Sequence, residues 1–241
     1  MKRGRLRVNE EADDAPGMER PDLLKVLESA GRLQQSVPDA VLVGGTAAAL
    51  WAGHRTSADH GHVLRDLRDR FSAVLGAIEA TEGWVTNRIV PGKLILGDLG
   101  GIESGVRQLL RTRPLEFTRV ELPSGNSVAV PTFEETLRIK AYLIVWRNQV
   151  RDYLDVAALA DRLGVSPSAR VLEQIDQYYS DQRGPEPQGV ATQLARQLAD
   201  PRPADPWTTG QLGRYKDVEE RWASWKSIKD VCRSLAVEMT R

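Results

Sequence analysis

A glycine turn followed by a short polar segment carries the residues best suited to chemistry in this sequence. Residues 41–64 read VLVGGTAAALWAGHRTSADHGHVL, in which an apolar strand leads into Gly44-Gly45 and then into a short helix. Glycines at such a junction allow backbone N–H groups and a helix N-terminus to approach a phosphate. The carboxylate of Asp59 could supply an oxygen ligand to Mg²⁺. This order predicts a site for a nucleoside triphosphate and its metal ion, although the same glycines would also suit a turn needed only for packing.

All three histidines of the chain lie in the same segment, at His54, His60 and His62. In an extended strand, residues 59 and 61 point to one face and residues 60 and 62 to the other. A site with two metal ions would need acids at both 59 and 61, and position 61 is Gly61. A zinc-dependent hydrolase that uses the histidines is an alternative, and it would require all three as ligands. The histidines could also serve only packing.

The composition excludes several classes of protein. The 241 residues contain 33 basic and 33 acidic side chains, so the net charge is zero and a nucleic-acid partner would need a local basic patch. A single cysteine, Cys232, rules out a disulfide within the chain and fits the reducing cytoplasm. No stretch is apolar enough to predict a membrane span, and the basic N-terminus lacks the apolar core of a signal peptide. We therefore expect a cytoplasmic protein without a membrane partner.

Hydrophobic periodicity predicts an α+β protein in two parts after a flexible lead-in over residues 1–20. Residues 21–131 read as a mixed α/β domain and residues 132–241 as a helical domain. The predicted helices are 21–36, 46–51, 65–80, 132–163, 168–180, 189–199 and the last 30 or so residues. The predicted strands are 40–43, 59–64, 84–90, 93–97, 101–110, 115–122 and 127–130. The segment 181–188 reads as a linker.

The helical part holds a second group of candidate residues. Lys140 lies in TLRIKAYLIVW, which is apolar almost all round, so its ammonium needs an anionic partner unless it reaches the surface. If residues 132–163 form one helix, Lys140, Arg147 and Arg151 share a stripe that continues to Asp155. Such a stripe suits a triphosphate, although Arg151 and Asp155 could be only a surface ion pair.

Other basic and aromatic residues allow two interpretations each. Arg107, Arg111, Arg113 and Arg119 could form a basic patch that holds RNA, or could keep an edge strand from aggregating. Trp207, Trp222 and Trp225 could contact a macromolecular partner, but helical spacing favours a place in the core.

At this point the residues resemble a known family, the AbiEii/MenT-type nucleotidyltransferase toxins. These are polymerase-beta-like proteins of type IV toxin–antitoxin modules. The first motif of the family is matched by Gly44, Gly45, Thr46, Gly53, His54, Arg55, Ser57 and Asp59. The later motifs are matched by Lys140, Arg147, Arg151, Asp152 and Asp155. The resemblance covers about residues 40–163.

The resemblance implies a fold, a reaction and partners. The fold would be a polymerase-beta-like domain with a mixed sheet, followed by helices. A hydroxyl of an RNA acceptor, the 3′ end of tRNA in relatives, would attack the α-phosphate of an NTP and thereby stop translation. Mg²⁺ or Mn²⁺ would be the cofactor, and a cognate antitoxin would be the protein partner.

The resemblance also implies roles for individual residues. Asp59 would hold the metal, with Glu103 as the third carboxylate of the family pattern and Asp98 as its alternative. The nucleotide would be held by Gly44, Gly45, Thr46, Ser57, Lys140, Arg147 and Arg151. Asp152 or Asp155 would lie near the attacking hydroxyl or orient Lys140.

Gly61 departs from the family pattern, because it replaces the second aspartate of Asp-x-Asp. Loss of this carboxylate should cost orders of magnitude in rate. Three explanations are open: an altered or inactive member, a substitute ligand such as His62, or a disabling change in the expressed sequence. A pseudo-enzyme that binds a nucleotide or an antitoxin without transfer is therefore an alternative function.

Overall fold

A computed structural model describes residues 15–182 and 188–241 of the chain. The first part contains α1 (Pro21–Ser36), β1 (Val41–Val43), α2 (Gly44–Ala52), β2 (His60–Leu64), α3 (Phe71–Glu79), β3 (Trp84–Val90), β4 (Leu94–Leu99), β5 (Glu103–Gln108), β6 (Phe117–Glu121) and β7 (Ser127–Pro131). The second part contains α4 (Phe133–Arg147), α5 (Val150–Leu163), α6 (Val165–Glu173), α7 (Val190–Ala199) and α8 (Trp225–Glu238). The predicted α+β class, with a mixed sheet followed by helices, is confirmed.

Five strands form one mixed sheet in the order β1-β2-β5-β4-β3. β2 and β5 run parallel, whereas the other neighbouring pairs are antiparallel. His60 pairs with Ser104 and Gly61 with Gly105, so residue 61 lies near the middle of the sheet. β6 and β7 form a separate hairpin. The parallel pair therefore brings the polar segment before β2 beside the start of β5.

Two hydrophobic clusters hold these elements together. The smaller cluster packs α1 and α3 against one face of the sheet, through residues such as Leu33, Ile78, Ile95 and Val106. The larger cluster joins α1, α2 and the β6–β7 hairpin to all the helices from α4 onward. The two predicted parts consequently share one core, and α2 is packed between them.

The predicted helix over residues 132–163 is wrong in one respect, since it is broken at Asn148. Asn148 has a positive φ of 53° and ends α4, and α5 starts again at Val150. A distant segment stabilises this turn: Asp205 Oδ1 accepts a hydrogen bond from Val150 N at 2.8 Å, and Asn148 Nδ2 donates to Arg202 O at 2.7 Å. The continuous stripe of Lys140, Arg147 and Arg151 therefore does not form.

The predicted flexible lead-in over residues 1–20 is also corrected in part. Residues 1–14 lie outside the described residues, but Pro16–Glu19 form a 3-10 helix. Gly17 of this helix is packed so tightly on α2 that a Cβ would lie 2.5 Å from Leu50 Cα. Of the predicted linker 181–188, residues 183–187 are outside the described part. Among the helices within 15–182 and 188–241, none is long and apolar enough to cross a membrane.

Candidate functional site

The N-terminus of α2 is built for close approach of a ligand. Gly44 has a φ of +83°, which few side-chain-bearing residues adopt, and it leads directly into the helix. A Cβ at Gly45 would lie 2.7 Å from Arg55 Nη2 and 2.8 Å from Ser57 Oγ. Glycine at this position therefore lets a guanidinium and a hydroxyl converge on the positive end of a helix.

The same turn positions Asp59, which precedes β2 and is exposed. The buried hydroxyl of Thr46 donates to the backbone carbonyl of Asp59 at 2.5 Å. Ser57 Oγ donates to Asp59 Oδ1 at 3.0 Å. Thr46 and Ser57, which were predicted to bind the nucleotide, thus hold the candidate metal ligand Asp59 in place. The hydroxyl proton of Thr46 is already used in this hydrogen bond.

Asp155 on α5 is the centre of a buried charge cluster directly behind this turn. Its side chain is fully buried, and Lys140 Nζ lies 2.6 Å from Oδ2. Arg55 donates to both carboxylate oxygens, at 3.1 and 3.2 Å. His54 Nε2 lies 2.8 Å from Oδ1. The anionic partner that Lys140 requires is therefore Asp155, and the alternative in which Lys140 reaches the surface is wrong.

The protonation states of this cluster leave an excess of one positive charge. Burial alone would raise the pKa of Asp155, but Arg55, Lys140 and His54 hold it well below its usual range. Burial lowers the pKa of His54, so this histidine is neutral near pH 7. Two cations then face one carboxylate next to the N-terminus of α2. This balance favours an anionic ligand at the turn.

The remaining residues of the predicted stripe lie at the α4–α5 turn. Arg147 makes two hydrogen bonds of 2.7 Å to Asp152, whose side chain is fully buried. Arg151 is exposed, and its Nε donates to Gln149 Oε1 at 3.0 Å. The predicted alternative of a surface ion pair between Arg151 and Asp155 is wrong, because Asp155 is buried with other partners.

Asp59 and Glu103 occupy matching register positions at the start of the parallel strands β2 and β5. His60 pairs with Ser104 in parallel register, and Asp59 and Glu103 immediately precede this pair. Asp98 pairs with Glu103 from the other side, and its Oδ1 accepts a hydrogen bond from Gly101 N at 2.6 Å. Mg²⁺ is commonly held by one or two carboxylates together with substrate phosphates, and Asp59 with Glu103 fits that pattern. A two-metal clamp does not fit, since Gly61 offers no carboxylate.

The histidines of β2 face the core. His60 Nε2 lies 3.0 Å from Ser29 Oγ and 2.8 Å from Ser104 Oγ, and His62 is fully buried beside it. Within residues 15–182 and 188–241, no group of three His, Cys, Asp or Glu side chains is placed to hold a metal ion. The zinc-hydrolase alternative is therefore not supported, and the packing interpretation of the histidines agrees with the structure.

Burial of these histidines predicts that the fold weakens in acid. Burial lowers the pKa of His60 from 6.5 to about 4, and it also lowers the pKa of His62 well below 6.5. The unfolded chain then binds more protons than the native chain below pH 6.5, so stability falls as the pH falls. We expect the shifted pKa of His60 alone to lower the free energy of unfolding by about 2 kcal/mol between pH 7 and pH 5. Urea denaturation at the two pH values measures this loss, which His60→Gln should reduce and Phe117→Ala should not.

The predicted strand 101–110 ends at Gln108, and of the four arginines of the predicted patch Arg111 is buried, whereas Arg107, Arg113 and Arg119 are exposed. Arg111 is buried, and it forms an ion pair with Glu135. Arg113 lies over the ring of Tyr178 at 3.8 Å. Of the tryptophans, Trp222 is buried as the core interpretation predicts, whereas Trp207 is 69% exposed.

The sequence indicated no role for Arg55 or Tyr215, and for His54 it indicated only a zinc ligand or a packing residue. Arg55 lies 5.4 Å from the centre of the Tyr215 ring, and its guanidinium links the α2 turn to Asp155. The match of His54 and Arg55 to the family motif was the available signal. Their partner is 100 residues away, so the spacing alone did not reveal the cluster.

Comparison with solved structures places this arrangement in a known fold. MenT4, a nucleotidyltransferase toxin of Mycobacterium tuberculosis H37Rv, superposes with a TM-score of 0.55 over 96% of this chain and 86% of that chain, at 18% identity. The chain has the nucleotidyltransferase fold. No family model matches the sequence.

The curated relatives by sequence are described as uptake and transport proteins. The chain is 33% identical over 246 residues to the heme uptake protein MmpL11 of M. tuberculosis H37Rv, and the match covers 90% of the chain but 23% of that protein. It is 41% identical over 129 residues to the probable transport protein MmpL11 of Mycobacterium leprae, covering 54% of the chain and 12% of that protein. The chain thus spans less than a quarter of the length of these relatives.

Proposed function

We propose that this chain binds a nucleoside triphosphate at the N-terminus of α2 and transfers its nucleotidyl group to a hydroxyl of an RNA acceptor. The observation that carries the proposal is the convergence of Arg55 and Ser57 on the place that a Gly45 side chain would fill. The excess positive charge behind the turn supports an anionic ligand, and the likeness of the fold to MenT4 supports the reaction class. The acceptor in this proposal is the 3′ end of tRNA.

In the proposed site, some residues would contact the nucleotide and others would position those residues. The backbone N–H groups of Gly44 and Gly45, with Ser57 and Arg55, would bind the β- and γ-phosphates. Lys140 would add positive potential from behind, held by Asp155. Asp152 and Asp155 are both fully buried in ion pairs, so we assign them positioning roles.

The carboxylates left to meet the substrate are Asp59 and Glu103. They would hold a divalent cation, Mg²⁺ or Mn²⁺, which neutralises phosphate charge and polarises the α-phosphate when it is bound. The acceptor hydroxyl would form the new bond to the α-phosphorus as the bond to the bridging oxygen breaks and pyrophosphate leaves. Arg147 at the end of α4 and Arg151 at the start of α5 would face the departing phosphates or the acceptor.

A second candidate function is nucleotide binding without transfer, and Gly61 is the observation that favours it. The sheet position that would complete an acid pair carries no side chain. In that case Asp59 and the α2 turn would still bind the nucleotide, and the chain would act through a partner protein. Inhibition of translation in the cytoplasm belongs to the first proposal only, whereas a cognate antitoxin could be a partner in both.

The names of the MmpL11 relatives do not alter this proposal. Two are described as heme uptake proteins and one as an exporter of mycolic acid-containing lipids. All three histidines of this chain are buried, so none is presented to solvent as an axial ligand for haem iron.

Gly45→Ala tests the proposed nucleotide site. Its Cβ would meet only the ends of two side chains, so the fold should survive while Arg55 and Ser57 are displaced. We expect NTP affinity to fall by about tenfold, which corresponds to roughly 1.4 kcal/mol for a displaced charged donor. Calorimetric titration with each NTP in the presence of Mg²⁺ measures this change.

Gly76→Ala is the matched control for this experiment. It makes the same change inside α3, where an added Cβ meets no heavy atom within 4 Å. Equal affinities of Gly45→Ala and the unmodified chain, or no binding of any NTP to the unmodified chain, would contradict the proposed site.

A further inference from the structure

Two exposed tryptophans flank the turn between α4 and α5. Trp146 is 62% exposed and lies two residues before Asn148, at the end of α4. Trp207 is 69% exposed and lies two residues after Asp205. Asp205 caps the first turn of α5, and Ala204 N donates to Asn148 O at 2.7 Å. The backbone segments that carry the two tryptophans therefore lie together.

Trp146 is held in a fixed orientation by the residues beneath it. Its ring is stacked on Tyr142, with centroids 6.2 Å apart and an interplanar angle of 26°. Tyr142 is stacked in turn on Tyr179 at 3.9 Å and 8°. Trp146 is therefore the outermost ring of a three-ring column. A flat ligand that stacks on its exposed face would not have to order the side chain first.

Two exposed arginines lie on the same chain segments as these tryptophans. Arg151 is exposed at the start of α5, and the side chain of Arg202 is 84% exposed, in an ion pair with Asp200. Surface ion pairs of this kind are weak, so Arg202 can exchange a carboxylate for a phosphate. Exposed aromatic rings together with cations are a combination that binds single-stranded nucleic acid, because bases stack on the rings and phosphates pair with the cations.

The region is continuous with the candidate site. Arg151 and Asp155 are one helical turn apart on α5, about 6 Å along the axis. Burial raises the pKa of Tyr215, and Arg55 and Arg151 both oppose that rise, so the two arginines act on the same ring. Arg151 thus links the α4–α5 turn to Tyr215, the ring that Arg55 lies over.

We propose that Trp146, Trp207, Arg151 and Arg202 form a tryptophan–arginine surface that binds a single-stranded segment of the RNA acceptor. The inference rests on the proposed function, because continuity with the α2 turn is what would lead a terminal hydroxyl to the nucleotide. Stacking is tolerant of sequence, so the surface would position the strand without reading its bases.

Binding of a fluorescein-labelled single-stranded RNA of about 12 nucleotides, a length within the range of single-strand sites, tests the surface directly. Anisotropy is measured on the full chain without NTP or metal. We expect Trp146→Ala and Trp207→Ala each to weaken binding about tenfold, and the double variant about a hundredfold. Replacement of both tryptophans by Phe should restore most of the affinity, and DNA of the same sequence should bind through the same residues.

Phe117→Ala is the matched control, since Phe117 is a 53% exposed aromatic residue on β6, outside the surface. Binding of the double variant within about threefold of the unmodified chain, or an equal loss in Phe117→Ala, would overturn the inference. Sedimentation showing that the unmodified chain self-associates and that the double variant does not would also overturn the inference, because the tryptophans would then form a contact between copies of the chain. A chain that binds NTP but no RNA overturns this inference alone, whereas one that binds RNA here but no NTP overturns the proposed function alone.

Discussion

Gly61→Asp is expected to raise nucleotidyl transfer by this chain on the order of 100-fold or more. Residue 61 lies on the same face of β2 as Asp59, two residues further along the strand. A Cβ at Gly61 would meet no heavy atom within 4 Å, so the first side-chain atom of an aspartate fits there without a clash. The new carboxylate would complete an acid pair able to hold metal ions on both the attacking and the leaving oxygen.

The measurement is transfer of label from each NTP to total tRNA in the presence of Mg²⁺. Gly61→Asn supplies the same shape without the charge and should stay near the level of the unmodified chain. Gly61→Asp combined with Asp59→Asn should lose the gain, because the pair is broken again. Equal transfer by Gly61→Asp and the unmodified chain would show that position 61 is not a missing metal ligand. Transfer by neither, with any NTP, would move the function to nucleotide binding alone.

Features set by local sequence were predictable in this fold. The bounds of α1 and β3 match the predicted segments 21–36 and 84–90, because the hydrophobic periodicity of α1 is uninterrupted and glycines flank β3. The turn at Gly44-Gly45 and the placement of Asp59 also depend on a short stretch of chain. The opposite faces of Asp59 and the histidines follow from strand alternation alone.

Features set by distant partners were not predictable. The helical pattern continues through Asn148, and what breaks the helix is a segment more than 50 residues later, through Asp205. The sequence showed that Lys140 needs an anion but suggested Arg151 as the partner of Asp155, since those two are neighbours on a helix. Arg111 looked like a surface strand residue because nothing local reveals its buried ion pair with Glu135.

Asp155→Asn is expected to lower the free energy of unfolding by about 3–5 kcal/mol. The substitution keeps the shape but leaves the buried cations Arg55 and Lys140 without their counter-charge. Against a typical total of about 5–15 kcal/mol, such a loss would remove a large part of the stability of the chain. Urea denaturation followed by circular dichroism measures it.

Asp152→Asn is the matched control, because it also removes the charge of a fully buried carboxylate. The partner that it leaves unpaired is Arg147, whose side chain is 30% exposed and can be hydrated. Asp152→Asn should therefore lower the free energy of unfolding by less than Asp155→Asn does. Lys140→Met added to Asp155→Asn should restore part of the lost stability, since it removes one of the two stranded cations.

The pH dependence separates Asp155 from the histidines. The folded pKa of Asp155 is depressed below its ordinary value of 3.8, so its contribution is present above that value and is lost only as the pH falls through the folded pKa. The histidines act earlier, as the pH falls below 6.5. Acid unfolding of Asp155→Asn should therefore keep the histidine phase. If Asp155→Asn instead unfolds like the unmodified chain but loses nucleotidyl transfer, Asp155 acts on the substrate and the positioning role assigned to it is wrong.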